Sequence, residues 1–106
     1  MNATILHNPR CSKSREALAL LHDAGAQVTV VDYLRNPPSR DELARLCARA
    51  GLAPRAALRK DAPAVATDDA ALDLMARDPA TIERPFVETA KGAVIARPAD
   101  RVRDLL

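Results

Sequence analysis

The sequence contains no Cys-X-X-Cys pair, no long apolar run and no large excess of either charge. Its two cysteines, Cys11 and Cys47, lie far apart, which argues against both a zinc site and a local redox pair. No apolar stretch approaches the roughly 18 residues that span a membrane, and the first residues lack the pattern of a signal peptide. We therefore expect a soluble protein of the reducing cytoplasm, where a lone exposed thiol stays reduced and available for chemistry.

Charge and length exclude further classes. The chain has 16 Lys and Arg residues and 14 Asp and Glu residues. The resulting net charge of +2 gives little reason to expect a nucleic-acid or membrane partner. A chain of 106 residues can build one modest core without disulfide or metal support. We expect a monomer with a single domain over residues 1–106 and no metal site or bound cofactor.

The beginning and the end of the chain each predict two strands and a helix. Apolar and β-branched runs predict strands over residues 3–7 and 28–31, with a helix over 12–24 between them that Gly25 ends. Near the end, a turn containing Lys91 and Gly92 separates two apolar runs, which predicts a hairpin over 86–89 and 93–96. Arg97 and Pro98 then open a last helix, with the proline in its first turn.

The middle of the chain, about residues 39–80, is predicted to be helical. Ser39, with Glu42 three positions later, has the form of a capping box before a helix that Gly51 ends. Cys47 lies in the apolar stripe of that helix, so we expect it to be buried and structural. A short helical piece over 54–58 and a helix capped by Thr67 follow.

These elements follow the order β-α-β, helical segment, β-β-α. The β-α-β unit implies parallel pairing of its two strands, and a hairpin adds antiparallel neighbours. The order is that of a thioredoxin-like α/β fold with a mixed four-stranded sheet, in which the helical middle is an insertion between the two units.

The predicted turn between the first strand and the first helix contains Cys11. There the thiol faces the free N–H groups of the first helical turn. The helix dipole would favour the thiolate and lower the pKa of Cys11 from about 8.5. The charges of Arg10, Lys13 and Arg15, and of His7 if it is protonated, would act in the same direction. A cysteine can also be a small buried apolar residue, but this context favours a reactive thiol.

The neighbours of Cys11 leave alternatives open. His7, at the carboxyl end of the strand, could stabilise the thiolate or move a proton, or simply bond to nearby backbone. Ser12 and Ser14 could cap the helix or donate hydroxyls to the thiolate or a bound anion. Asn8 could close an Asx turn.

Three arginines form the next candidate group. Arg84 and Arg97 each precede a proline, so each is biased towards extended backbone at the edge of an element, and Arg59 follows the short helical piece. If the hairpin packs beside the first strand, these residues can converge on Cys11 and grip a tetrahedral oxyanion through paired donors. The alternative is that they are solvated surface charges. The Arg84–Pro85 bond could be cis, because thioredoxin-like folds place a cis-proline beside the active-site thiol.

With these residues in view, the chain resembles the glutaredoxin-type arsenate reductase family over essentially its whole length. The stretch HNPRCSKSR over residues 7–15 is similar to the family's nucleophile loop. LRK over 58–60, ERPFV over 83–87 and ARP over 96–98 are similar to its three later arginine segments. The CSKSR sequence is similar to a branch named arsenate reductase-like, whereas many detoxifying members have a Gly-Thr pair after the cysteine.

The resemblance implies roles for particular residues. Cys11 would be the nucleophile, supported electrostatically by His7 and Ser14. The oxyanion ligands would be Arg59, Arg84 and Arg97, and Pro85 would be the cis-proline. The thiolate would attack arsenate, glutathione as co-substrate would reduce the arsenic and form a mixed disulfide, and glutaredoxin would resolve that disulfide.

Two other functions are compatible with this sequence. One is a monothiol glutathione-linked oxidoreductase that never acts on arsenate. The other is a regulatory adaptor that contacts RNA polymerase, as regulators of the same superfamily do. Those regulators commonly carry a Cys-X-X-Cys switch, and the serine at position 14 counts against such a dithiol.

Overall fold

The first two strands and the helix between them place the cysteine turn at one edge of the sheet. The computed structural model describes all 106 residues. Strands β1 (Asn2–His7) and β2 (Gln27–Asp32) pair in parallel, and α1 (Ser12–Asp23) connects them. Gly25, with φ of 78°, adopts the left-handed conformation just after α1, as predicted.

The hairpin joins the sheet beside β1. It consists of β3 (Phe86–Thr89) and β4 (Gly92–Ile95), and β3 pairs antiparallel with β1, giving the strand order β2-β1-β3-β4. Since β1 and β3 run in opposite directions, the start of β3 lies next to the end of β1. The predicted thioredoxin-like fold with a mixed four-stranded sheet is confirmed, and the residues before β3 lie near the cysteine turn.

The first helix of the middle segment begins and ends as predicted. Helix α2 (Arg40–Ala50) is capped by Ser39, whose Oγ accepts a hydrogen bond from the Glu42 N–H at 3.1 Å. Gly51, with φ of 67°, ends it. The Glu42 carboxylate pairs with Arg45 instead of the Ser39 N–H, so only the serine half of the predicted capping box forms.

Three further helical pieces complete the segment between β2 and β3. A 3₁₀ helix spans Pro54–Ala57, α3 spans Asp68–Arg77, and a second 3₁₀ helix spans Pro79–Thr81. Thr67 caps α3 by accepting a hydrogen bond from the Ala70 N–H at 3.0 Å. The backbone N–H of Arg59 donates to the Thr81 carbonyl at 2.9 Å, which holds the two 3₁₀ helices together.

Two apolar clusters cover the two faces of the sheet, because successive side chains of a strand point to opposite faces. Ile5 and Val87 belong to the cluster with α1 and the C-terminal helix. Leu6 and Phe86 belong to the cluster with α2 and α3, which also buries Cys47 as expected. Each large side chain buried in this way stabilises the fold by about 1.5 to 3 kcal/mol.

The last helix differs from the prediction. It is a 3₁₀ helix over Ala99–Leu105, and Pro98 precedes it as the N-cap residue instead of lying in its first turn. The physical reason is that Pro98 is extended, with ψ of 161°, which is incompatible with a helical turn. None of the helices is both long enough and apolar enough to cross a membrane.

Candidate active site

A tight turn between β1 and α1 presents Cys11 at the start of the helix. The side chain of Asn8 accepts a hydrogen bond from the Arg10 N–H at 3.0 Å, which is the Asx turn considered from the sequence. The Cys11 N–H donates to the Asn8 carbonyl, also at 3.0 Å. Cys11 is therefore the N-cap residue of α1, with an extended backbone, and no serine hydroxyl caps this helix.

The surroundings of Cys11 favour its thiolate. Cys11 is only 8% exposed, so the expectation of an exposed thiol was wrong. Burial is the largest effect on this thiol and by itself raises its pKa. Hydrogen bonds from the backbone N–H groups of Ser14 and Lys13, together with the charges of Arg84 and Arg97, outweigh burial and lower the pKa below that of a free cysteine. Arg97 Nη1 lies 3.8 Å from the sulfur.

The origin of this stabilisation is partly different from the prediction. Lys13 acts through its backbone N–H, while its ammonium group lies 3.9 Å from Glu16. Arg15 Nη1 donates to the Pro9 carbonyl at 2.8 Å. The side-chain charges that lower the pKa of Cys11 come from the far end of the sequence, because β3 and β4 bring the residues beside them to this turn.

The half-buried His7 and the buried Ser14 form a pair beside the turn. His7 Nδ1 lies 2.6 Å from Ser14 Oγ, and Ser14 Oγ also accepts a hydrogen bond from the Asn8 N–H at 3.0 Å. Burial, more than the opposing effect of Asp32, lowers the pKa of His7, so the imidazole is neutral at neutral pH. Ser14 is buried and joins His7 to the turn, whereas Ser12 is exposed; neither serine caps α1.

The three predicted arginines line a single cavity of about 280 Å³. Their side chains are 30%, 17% and 37% exposed for Arg59, Arg84 and Arg97, so Arg59 and Arg84 are partly buried, whereas Arg97 is exposed. The peptide bonds Arg84–Pro85 and Arg97–Pro98 are both cis, and only the first was expected from the sequence. The cavity and the Cys11 sulfur share Arg97 as a neighbour.

Carboxylates partly neutralise this cluster. Asp61 lies 3.2 Å from Arg59 Nε, and Glu83 lies 3.1 Å from Arg84 Nη1 and 4.0 Å from Arg97 Nε. Lys60 is the remaining residue of the lining, so four cations face two carboxylates. Arg84 Nε is buried without a hydrogen-bond partner. The site is therefore a basic pocket suited to an oxyanion.

Four further residues lie in this region, and the sequence patterns predicted no role for them. Lys60, Asp61 and Glu83 line the cavity, and each stands next to one of the lysine or arginine residues in the sequence, which was the available signal. Tyr33 is the only tyrosine and follows the carboxyl end of β2. Burial raises its pKa, against a hydrogen bond with Asn8 and the charges of Arg84 and Arg59.

Fold and site together define a thioredoxin-fold protein with one activated cysteine beside an oxyanion pocket, and without a second cysteine in the loop. The model of the ArsC family matches residues 6–105 of this chain. The chain belongs to the ArsC family.

Named relatives and a solved structure agree with this assignment. The chain is 42% identical to the arsenate reductase of Acidiphilium multivorum, over 99% of this chain and 81% of the relative. It is 43% identical to the arsenate reductase of Rhizobium meliloti, over 100% and 82% of the two chains. The structure of the arsenate reductase from Vibrio cholerae superposes with a TM-score of 0.93 at 40% identity, covering 100% of this chain and 98% of that one.

Proposed function

We propose that this protein is an arsenate reductase in which Cys11 is the nucleophile. The observation that carries the proposal is the contact between Arg97 Nη1 and the Cys11 sulfur at 3.8 Å, because it joins the thiolate to the arginine pocket. The relatives named above, at 42% and 43% identity over nearly the whole chain, support arsenate as the substrate.

In the first step, Arg59, Arg84 and Arg97 hold the arsenate oxygens while the thiolate attacks arsenic. The S–As bond forms and one arsenate oxygen leaves as water after it gains protons from solvent. The arginine charges offset the repulsion between the thiolate and the anion, which is the main barrier to bringing them together. His7 and Ser14 support the turn that presents the sulfur.

Glutathione is the proposed co-substrate of the second step. Its thiolate attacks the Cys11 sulfur and forms an S–S bond, while the S–As electron pair passes to arsenic, so As(V) becomes As(III) and arsenite leaves. The two thiols supply the two electrons. Glutaredoxin then resolves the mixed disulfide. The position of Cys47, buried in the core with its pKa raised chiefly by burial, supports an external resolving thiol.

The same chemistry supports a reducing compartment such as the cytoplasm, since Cys11 must remain a free thiol between turnovers. It also supports action as a monomer, because one chain supplies every residue of the pocket. No observation favours contact with RNA polymerase, and the arginine pocket favours an oxyanion substrate over a disulfide alone.

The decisive experiment measures arsenate-dependent NADPH oxidation with glutathione, glutathione reductase and glutaredoxin present. We expect turnover by the wild type and by Cys47→Ala, and none by Cys11→Ser. Folded wild-type protein that shows no turnover would overturn the proposal. A parallel reaction on a glutathionylated peptide, active where arsenate is not, would identify the monothiol oxidoreductase instead.

A further inference from the structure

The pocket that contains the arginines also encloses a carboxylate. The side chain of Glu83 is 19% exposed, against 74% for Asp61, the other carboxylate in the lining. A negative group so enclosed opposes the binding of any anion, and it does so more strongly than one that solvent screens. Its presence in an oxyanion pocket therefore calls for a physical reason.

Protein donors occupy only one of the two oxygens of Glu83. Oε1 accepts hydrogen bonds from the Arg84 backbone N–H at 3.2 Å and from Arg84 Nη1 at 3.1 Å, and Arg97 Nε lies 4.0 Å away. Oε2 has no hydrogen-bond donor in the protein and is open to solvent or to a molecule bound in the pocket. An ionised carboxylate oxygen only accepts, so the group that satisfies Oε2 must carry a proton.

We infer that Glu83 selects oxyanions that still carry a proton. Arsenate and phosphate keep at least one O–H at neutral pH and can donate it to Oε2. Sulfate has no proton to donate, so its oxygens would face the carboxylate with lone pairs alone. The arginines attract any tetrahedral oxyanion, and Glu83 discriminates among them by protonation.

This inference deepens the proposed function and rests on it for the identity of the anion. Glu83 also touches Arg84 and Arg97, and holding them in place is a different role. The two roles predict different results. Loss of a positioning group changes the affinities for phosphate and sulfate by the same factor, whereas loss of a discriminating acceptor changes their ratio.

The test is calorimetric titration of the reduced protein with sodium phosphate and, separately, sodium sulfate at equal ionic strength. We expect the wild type to prefer phosphate, and Glu83→Gln to reduce that preference about tenfold or more, because an unpaired charged acceptor no longer faces sulfate. Asp61→Asn is the matched control. It removes the same charge from the same pocket, and we expect both affinities to rise with their ratio unchanged.

Glu83→Ala provides a second reading of the same ratio, without the amide group of glutamine. An unchanged ratio in both Glu83 variants, or a wild type that binds sulfate as tightly as phosphate, would overturn the inference. The titration needs no turnover. If the wild type discriminates through Glu83 but does not reduce arsenate, the inference stands and the proposed function is overturned. If the protein reduces arsenate but the ratio is unchanged in the Glu83 variants, the proposed function stands and the inference is overturned.

Discussion

Arg97 Nη1 lies 3.8 Å from the sulfur of Cys11, although 86 positions separate the two residues in the chain. Cys11 follows β1 and Arg97 follows β4, and β3 lies between these strands in the sheet. The contact therefore ties the state of the thiol to the position of the hairpin.

Arg97→Ala is expected to raise the pKa of Cys11 towards that of a free cysteine, because a cation at this distance favours the thiolate. The measurement is the pH profile of alkylation by iodoacetamide. Arg77→Ala is the matched control, since Arg77 is an exposed arginine at the end of α3 and has no ion pair. A profile that stays the same in Arg97→Ala would contradict the assigned role.

Arg84→Lys is expected to separate charge from geometry. Lysine keeps the positive charge near Cys11, so the pKa of the thiol should change little, but it lacks the planar fork that binds two oxyanion oxygens. We expect the KM for arsenate to rise about tenfold. In Arg84→Ala both quantities should change. A lysine variant with the wild-type KM would show that Arg84 acts through charge alone.

His7 is expected to make stability depend on pH. Burial is the largest cause that lowers the pKa of His7 in the folded protein below the unfolded value of about 6.5. Between these two pKa values the unfolded chain binds more protons than the folded protein does. The free energy of unfolding should therefore fall as pH drops below about 6.5. Urea unfolding over this range measures the fall, which should be smaller in His7→Gln. Equal falls in the two proteins would contradict the partial burial of a neutral imidazole.

The helix caps predict unequal effects of two serine substitutions. Ser39→Ala removes the hydrogen bond to the Glu42 N–H and should cost about 1 kcal/mol in the free energy of unfolding. Ser12→Ala, at an exposed position without a cap bond, should stay within about 0.5 kcal/mol of wild type. Urea denaturation measures both. A larger loss in Ser12→Ala would mean that its hydroxyl caps α1 after all.

Local sequence patterns predicted most of the fold. Ser39, Thr67, Gly25 and Gly51 begin or end helices where the sequence placed them, because capping and left-handed turns involve neighbours in the chain. Two local predictions were wrong: the Glu42 half of the capping box does not form, and Pro98 does not lie in the last helix. The extended backbone of Pro98 depends on how the end of β4 meets the last helix, and a one-dimensional pattern does not contain that packing.

The candidate site, too, was predictable from the sequence where its contacts are local and not where they are long-range. The sequence by itself determined that Cys11 begins a helix after a strand, because the strand, the Asn8 turn and α1 are all local. Only the tertiary structure decided which charges reach the sulfur: antiparallel pairing of β3 with β1 brings Arg84 and Arg97 there, while the nearer Lys13 and Arg15 side chains bond elsewhere. It also enclosed Glu83 among these arginines, because long-range sheet pairing sets distances that sequence spacing leaves open.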